Sequence, residues 1–310
     1  MLDLAYVGNH ALKLVMLGDY NQARPPLPGE IANDTLDARR PVQGFGTISM
    51  VLPAAFSTYH SLQIKTEHRS ARNLNLLNSF TWSKGIDNAS QVLEEPNGST
   101  GTPQNINNVN ADKALSGYNV PLQNTTSAVW NLPIGRGQKW GQALPGFADA
   151  ILGGWQINGI NTMRSGRAVN IRYNTSGPTP VTAGLATFLG GVNLRPNLLG
   201  DPMAPEDVRS IDNYFNRANI VNPPATSPFG NAGRNLVRGY PYYQLNLGVQ
   251  KRFRLPIREN AALHIRGEAF NLFNKTNFGA PNGDRGSGSF GTIRTTYPAR
   301  QLQVALRITF

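Results

Sequence analysis

The sequence predicts an all-β fold: an antiparallel meander of about nine long strands, part of a transmembrane β-barrel, with long loops at one end and short turns at the other. Three observations carry this. Apolar and polar residues alternate in twos along segment after segment, while helical periodicity is scarce. The connections between those segments alternate between short and long. Charged residues are only 15% of the chain, and Asn, Gln, Ser, Thr and 32 Gly fill the gap, a composition suited to strands, turns and long loops.

The elements follow in order. The chain opens in alternation, with Leu2, Leu4 and Tyr6 set against Asp3 and Ala5. "YHSLQIKTEHRS" (59–70) sets Leu62 and Ile64 against Gln63, Lys65 and Glu67. "NLNLLNSFTWSK" (73–84) sets Leu74, Leu76, Phe80 and Trp82 against Asn73, Asn75, Ser79 and Thr81. "SAVWNLPIG" (127–135) places Ala128, Trp130 and Leu132 on one face, and "GGWQINGINTMRSG" (153–166) is a looser case built on Trp155 and Ile157. The clearest helical spacing is Val208, Ile211 and Phe215 in "APEDVRSIDNYFN" (204–216). "YQLNLGVQKRFRL" (243–255) alternates Tyr243, Leu245, Leu247, Val249, Phe253 and Leu255 with Gln244, Asn246, Gln250, Arg252 and Arg254. "ALHIRGEAFNLF" (262–273) sets Leu263, Ile265, Ala269 and Phe273 against His264, Arg266 and Glu268. The last segment, "RQLQVALRITF", is the most regular: Leu302, Val304, Leu306, Ile308 and Phe310 form one set and Gln301, Gln303, Ala305, Arg307 and Thr309 the other.

Between these lie short turns at 68–73 and 254–261, and long Asn-, Gly- and Pro-rich segments at 85–121, 166–239 and 274–299. A membrane barrel sorts its connections this way, with short periplasmic turns and longer outer loops. Counting back from Phe310 puts the long segment 10–44 on the short-turn side, a conflict that an uncounted strand near 12–17 or 46–52 would repair. Eleven residues at ~3.3 Å each span roughly 36 Å, and a tilt of about 45° brings this to the ~25 Å apolar band of such barrels. Alternation alone does not say which face is outside. The polar sets are rich in Gln, Asn and Arg, as suits a wet lumen. Aromatics lie toward strand ends (Trp82, Tyr242, Tyr243, Phe253, Phe273, Phe310), as in interfacial girdles.

The net charge is +11, with Arg far outnumbering Lys, yet no basic run exceeds Arg39-Arg40. No face interleaves clustered cations with stacking aromatics, so no nucleic-acid partner is expected. There is no cysteine, hence no disulfide and no thiolate metal site. "GSGSFG" (286–291) fits a dinucleotide fingerprint by spacing, but no buried strand precedes it and no helix follows, so it reads as a flexible loop. His10, His60, His68 and His264 are scattered, no G-x-S-x-G elbow occurs, and no cofactor, metal or catalytic residue is assigned. Asp112-Lys113 reads as a loop ion pair of little weight. "MLDLAYVGNH" carries no signal-peptide pattern and reads as a start in mid-strand.

These residues carry a resemblance. "GNAGRNLVRGYPYYQLNLGVQKRF" (230–253), "IRGEAFNLFNKTNFGAPN" (265–282), "FGTI" (290–293) and the final "RQLQVALRITF" resemble the C-terminal strands of TonB-dependent outer-membrane receptors, of the Oar-like, carboxypeptidase-regulatory-domain-bearing type abundant in acidobacteria. "AYVGNHALKL" (5–14), "YHSLQIKTEHR" (59–69), "FTWSKGIDNAS" (80–90) and "GGWQINGINTMRSGRAVNI" (153–171) resemble earlier strands of that group. The resemblance implies a 22-stranded barrel plugged by an N-terminal domain, of which residues 1–310 would be the C-terminal part; plug, coupling box and signal peptide are not in this chain. It implies location in the outer membrane of a Gram-negative bacterium and no enzymatic activity. It also implies uptake of an iron chelate, vitamin, glycan or peptide. The implied partners are outer-membrane lipid, the barrel-assembly machinery, the plug and N-terminal strands of the same protein, the TonB complex through those parts, and an unknown ligand. Leu302, Val304, Leu306, Ile308 and Phe310 would form the assembly signal. Arg252, Arg254, Arg266, Glu268, Gln303 and Arg307 are the candidate lumen-facing polar residues. A structural or adhesion barrel without transport, and a soluble β-rich carbohydrate-binding protein, are the alternatives.

Overall fold

The computed structural model describes residues 1–27, 30, 36–70, 73–90, 102–173, 194–224, 227–255 and 261–310. In chain order these form β1 (Leu2–Asp19), β2 (Ser49–Arg69), β3 (Leu74–Asp87), β4 (Ala114–Leu115), β5 (Leu122–Asn131), the short helix α1 (Gly146–Leu152) and β6 (Trp155–Arg164). Then follow β7 (Ala168–Val169), β8 (Asn197–Leu198), β9 (Ile220–Val221), β10 (Val237–Arg238), β11 (Tyr242–Arg254), β12 (Ala262–Phe270) and β13 (Gln301–Thr309). One antiparallel sheet runs β1-β2-β3-β5-β6-β11-β12-β13, and the two-residue β4 pairs with β3 to make a ninth strand. The sheet is open, with β1 and β13 as its edges.

The register lines up one apolar face across the whole sheet. Leu4 lies opposite Ile64, Ile64 opposite Phe80, and Leu62 opposite Trp82. Farther along, Trp130 lies opposite Ile157, Ile157 opposite Val249, Leu263 opposite Ile308 and Ile265 opposite Leu306. Because the side-chain period of a strand is two, the residues between them form a polar face. Most apolar-face residues near the sheet's edges are strongly exposed, Leu302 at 73% and Phe310 at 76%. Such exposure is what a lipid-facing wall requires. The face is not uniformly apolar: Thr66, Asn78, Thr126 and Asn161 form one register row. There Asn78 Nδ2 donates to Asn124 Oδ1 (2.8 Å) and Thr126 Oγ1 (2.7 Å), while the buried Asn161 Oδ1 is left without a partner among the described residues.

Two ends are distinct. At the turn end lie the connections 70–73, 132–154 and 255–261, together with Phe310. At the mouth end lie the described residues of 20–48, 88–121, 165–241 and 271–300. The expected placement of 10–44 on the turn side is corrected here, and among the described residues no additional strand is involved. β1 continues to Asp19 through a bulge, with register shifts between Ala11 and Met16 and Lys13 at φ 55°, and β2 begins at Ser49. The stretches 12–17 and 49–52 are extensions of strands already counted. At 18 and 21 residues, β1 and β2 overshoot the bilayer and rise into the mouth. β12 and β13 are each 9 residues, and Phe273 lies beyond β12, exposed.

The expected helix at 204–216 does not form. Arg209 Nε and Nη2 both donate to Ala204 O (2.9 and 2.7 Å), taking the carbonyl a helix would use, and Phe215 bridges Met203. Val208 and Ile211 are exposed while Phe215 is fully buried, so the helical spacing does not mark a common face. Tyr242 also departs from expectation. It faces the polar side and packs edge-on against Tyr297 with ring centroids 4.9 Å apart.

Candidate functional site

Two polar regions stand out, one on the inner wall and one at the mouth. On the wall, β11, β12 and β13 align Arg252, His264 and Arg307 in one row. The next row is Gln250, Arg266 and Ala305, and the next Gly248, Glu268 and Gln303. Arg266 Nη2 donates to Glu268 Oε1 at 2.5 Å, and Gln250 Nε2 donates to Gln156 Oε1. Arg252 and Arg307 are exposed and flank His264. The row therefore carries one guanidinium on each side of β12, a positive stretch of the inner face that an anionic group would complement. A recess of about 490 Å³ lies here, lined by Gln156, Gln250, Arg252, His264, Arg266 and Arg307. Arg254 sits in register opposite Ala262, on the same face; its side chain lies outside the described residues.

At the mouth the long segments interlock. Arg234 of 165–241 pairs with Asp87 at the end of β3, and Arg195 pairs with Asp112 of 88–121. All four groups are buried. Arg195 Nε also donates to Ala232 O (2.8 Å), and Asn235 Nδ2 to Leu115 O (2.8 Å). Residues 20–48 join through Gln22, whose Nε2 donates to Gln104 O (2.9 Å) and whose Oε1 accepts from Ile106 N (2.8 Å). Residues 271–300 join through Arg285 Nε to Ile220 O (2.7 Å) and Asn282 N to Thr292 O within their own turn.

Val169, Ile171, Tyr214, Phe215, Ile220, Val237, Phe290 and Ile293 form the hydrophobic core of this assembly. Chains approach closely there: a side chain at Gly166 would place its Cβ 1.8 Å from Gly239 O, so only glycine fits. Burial pushes the Tyr214 phenol up to about 12 and lowers the Arg238 guanidinium from its ordinary value. Tyr214 donates to Arg238 O (2.6 Å), and Arg238 Nη1 donates to Asn119 O and Gly166 O (3.1 Å each). Contacts reach the polar side of the sheet, as where Arg164 Nη2 donates to Tyr297 OH (2.9 Å). The described parts of the long segments therefore pack on one another at the mouth, and Tyr297 reaches the inner face.

Asp112 was expected to pair with its neighbour Lys113 at little consequence; it is instead buried against Arg195. Neither this pair nor Arg234–Asp87 has a local sequence signal, because the partners lie 83 and 147 residues apart. The segment 286–291 is a turn whose Phe290 and neighbouring Ile293 belong to the mouth core. Leu302, Val304, Leu306, Ile308 and Phe310 line the exposed edge of the apolar face. Among the described residues no group of three or more His, Cys, Asp or Glu is placed to hold a metal ion.

One large antiparallel sheet with a lipid-suited outer face, a polar inner face and folded connections at one end defines a transmembrane β-barrel wall. The chain belongs to the outer membrane beta barrel domain family, whose model matches residues 1–303, and the protein is accordingly one of the outer membrane. Among solved structures it is similar to the outer membrane transporter YddB from Escherichia coli, at 10% identity and a TM-score of 0.44. That match covers 99% of this chain and 30% of YddB, so the chain spans under a third of that transporter's length. Comparison with curated proteins gives no match.

Proposed function

We propose that this chain supplies barrel wall and outer mouth to an outer-membrane receptor that takes up a scarce ligand, an iron chelate, vitamin, glycan or peptide, with TonB-type energy coupling. The observation that carries the reading is the pairing of a two-faced open sheet with an interlocked mouth at one end. Edges in lipid leave backbone groups unsatisfied at several kcal/mol each, so β1 and β13 call for further strands of the same protein. More strands mean a wider lumen, one that a plug would fill and whose acidic groups would meet Arg252, His264 and Arg307. The terminal strand through Phe310 would be what the barrel-assembly machinery reads. The chain itself carries out no covalent chemistry in this reading, needs no cofactor and binds no nucleic acid. TonB would be engaged only through the plug side.

The test is uptake. The complete reading frame that contains these 310 residues is expressed in a Gram-negative host, and accumulation of one labelled ligand of each class is measured with and without TonB. Accumulation of one class that needs TonB supports the proposal. Outer-membrane insertion with no accumulation, or with accumulation indifferent to TonB, overturns it and favours a structural or adhesion barrel.

A further inference from the structure

Residues 132–154 break the pattern of the turn end. The other connections there are short, whereas this one folds into α1 and a tight loop. The loop is internally fixed: Gly135 N donates to Trp140 O (2.8 Å), Trp140 N to Pro133 O (2.9 Å), Arg136 N to Asp149 Oδ1 (2.7 Å) and Arg136 Nε to Leu144 O (2.9 Å). Yet its apolar side chains point away from the protein. Phe147 is 75% exposed, Ile151 63%, Leu152 51% and Trp140 51%. Phe147 and Ile151 are four apart and share one side of the helix.

The helix is seated against the lipid-facing surface. Ile151 O, at its C-terminal end, accepts from Trp155 Nε1 (2.9 Å) and Lys251 Nζ (3.1 Å). Trp155 and Lys251 face each other in the register and belong to the apolar face. A lysine there is out of place in lipid unless its charge is met. Lys251 meets the negative end of α1 and lies over the rings of Trp155 (5.4 Å) and Phe253 (4.8 Å). Lys139 lies over Trp140 in the same way (5.5 Å). Aromatics and cations gathered at the rim of a lipid-facing wall are the chemistry of the bilayer interface.

We infer that residues 132–154 form a foot on the membrane surface: α1 lies in the periplasmic leaflet, with Phe147, Ile151 and Leu152 among the acyl chains and the exposed Lys139 at the phosphate level, while Lys251 stays buried beneath the helix end. The occupant of the exposed helix face is leaflet phospholipid. Continuity with the barrel's lipid face argues for this over a protein partner, and the exposed cations Arg136 and Lys139 of the same loop match the headgroup charge. An amphipathic segment of this kind sinks about 5–10 Å into the headgroup and acyl boundary. It would fix the depth and tilt of the wall, whatever passes through the lumen.

The test is photo-crosslinking in intact outer membranes of cells expressing the full chain. A photoreactive amino acid is placed singly at Phe147, Ile151, Leu306 or Asp207. Phospholipid adducts are expected at 147 and 151, as at 306 on the wall, and not at 207 in the mouth. Adducts at 306 with none at 147 and 151, or with protein alone there, overturn the foot; their absence at 306 as well overturns the face assignment on which it rests. A second readout is Phe147→Asp combined with Ile151→Asp. Tryptic cleavage at Lys139 from the periplasmic side is expected to quicken at least about tenfold, since the apolar burial that holds the loop down is lost. An unchanged cleavage rate counts against the foot.

Discussion

The wall and the mouth place the same side chains in opposite settings. In the wall, Leu302, Val304 and Leu306 are 73%, 76% and 68% exposed, whereas in the mouth Phe215, Ile171 and Ile220 are at most 1% exposed. Each arrangement suits its solvent. The wall needs no core of its own because acyl chains complete its outer face. The mouth stands in water and must bury its apolar groups as a soluble domain does. Hydrophobicity therefore marks the outside of one region and the inside of the other, and only register and burial tell them apart.

The comparison can be broken most forcefully at the mouth's buried ion pairs. Arg234→Ala leaves the Asp87 carboxylate buried beside no cation, and is expected to cost about 3–5 kcal/mol of mouth stability. Hydrogen exchange over 234–238 and 114–119 would show the loss, with the strands of the wall unchanged. Replacing both partners by apolar residues, Arg234→Met with Asp87→Leu, should restore most of it. If the single variant is silent, the mouth is not the water-facing packed unit described above.

Next in size is Phe215→Ala, which removes a fully buried ring that packs against Tyr214 and Phe290. About 3 kcal/mol is expected, read as loss of protection at 169–171 and 290–293 alone. Leu306→Ala in the wall opens no internal cavity and should cost little. A charge reverses the ranking inside the wall: Leu306→Arg is expected to cost roughly 2–4 kcal/mol in bilayer assembly, while Gln303→Arg on the inner face should cost almost nothing. Folded yield in outer membranes measures both. Equal losses would mean that the two faces do not meet different solvents.

These contrasts also explain what the sequence disclosed. The strands were legible because lipid on one side and a wet interior on the other enforce period two, and β11 to β13 follow it almost residue for residue. The count of ends failed for 10–44 because eight long strands make the wall, while the ninth, β4, is a two-residue strand inside 88–121 that does not cross it. The inner-face row was half legible: Arg252 and Arg307 stood out as polar, but their alignment through His264 depends on register between strands. The mouth was barely legible. Its partners, such as Arg195 and Asp112, are brought together by long loops, and loops carry no period. In 204–216 a helical spacing even pointed the wrong way.

The smallest expected effect isolates burial itself. Arg24 and Glu30 pair bidentately in the mouth segment 20–48, at 2.7 and 2.8 Å, and the Leu27 amide adds a third bond to the carboxylate (2.6 Å). The hydrogen bond from Arg24, then that from Leu27, holds Glu30 down from 4.5 to about 2. A depressed carboxylate favours the folded state above its unfolded pKa, and that contribution fades as pH falls from about 4.5 toward 2. Carboxyl-labelled glutamate should therefore show one residue titrating near 2, and Arg24→Ala should return it to the ordinary range. Above pH ~4.5 this change should weaken the mouth less than Arg234→Ala does, because an exposed pair is screened by water and salt. The chemistry of the two pairs is the same. If both substitutions weaken the mouth alike, burial is not what separates its core from its rim.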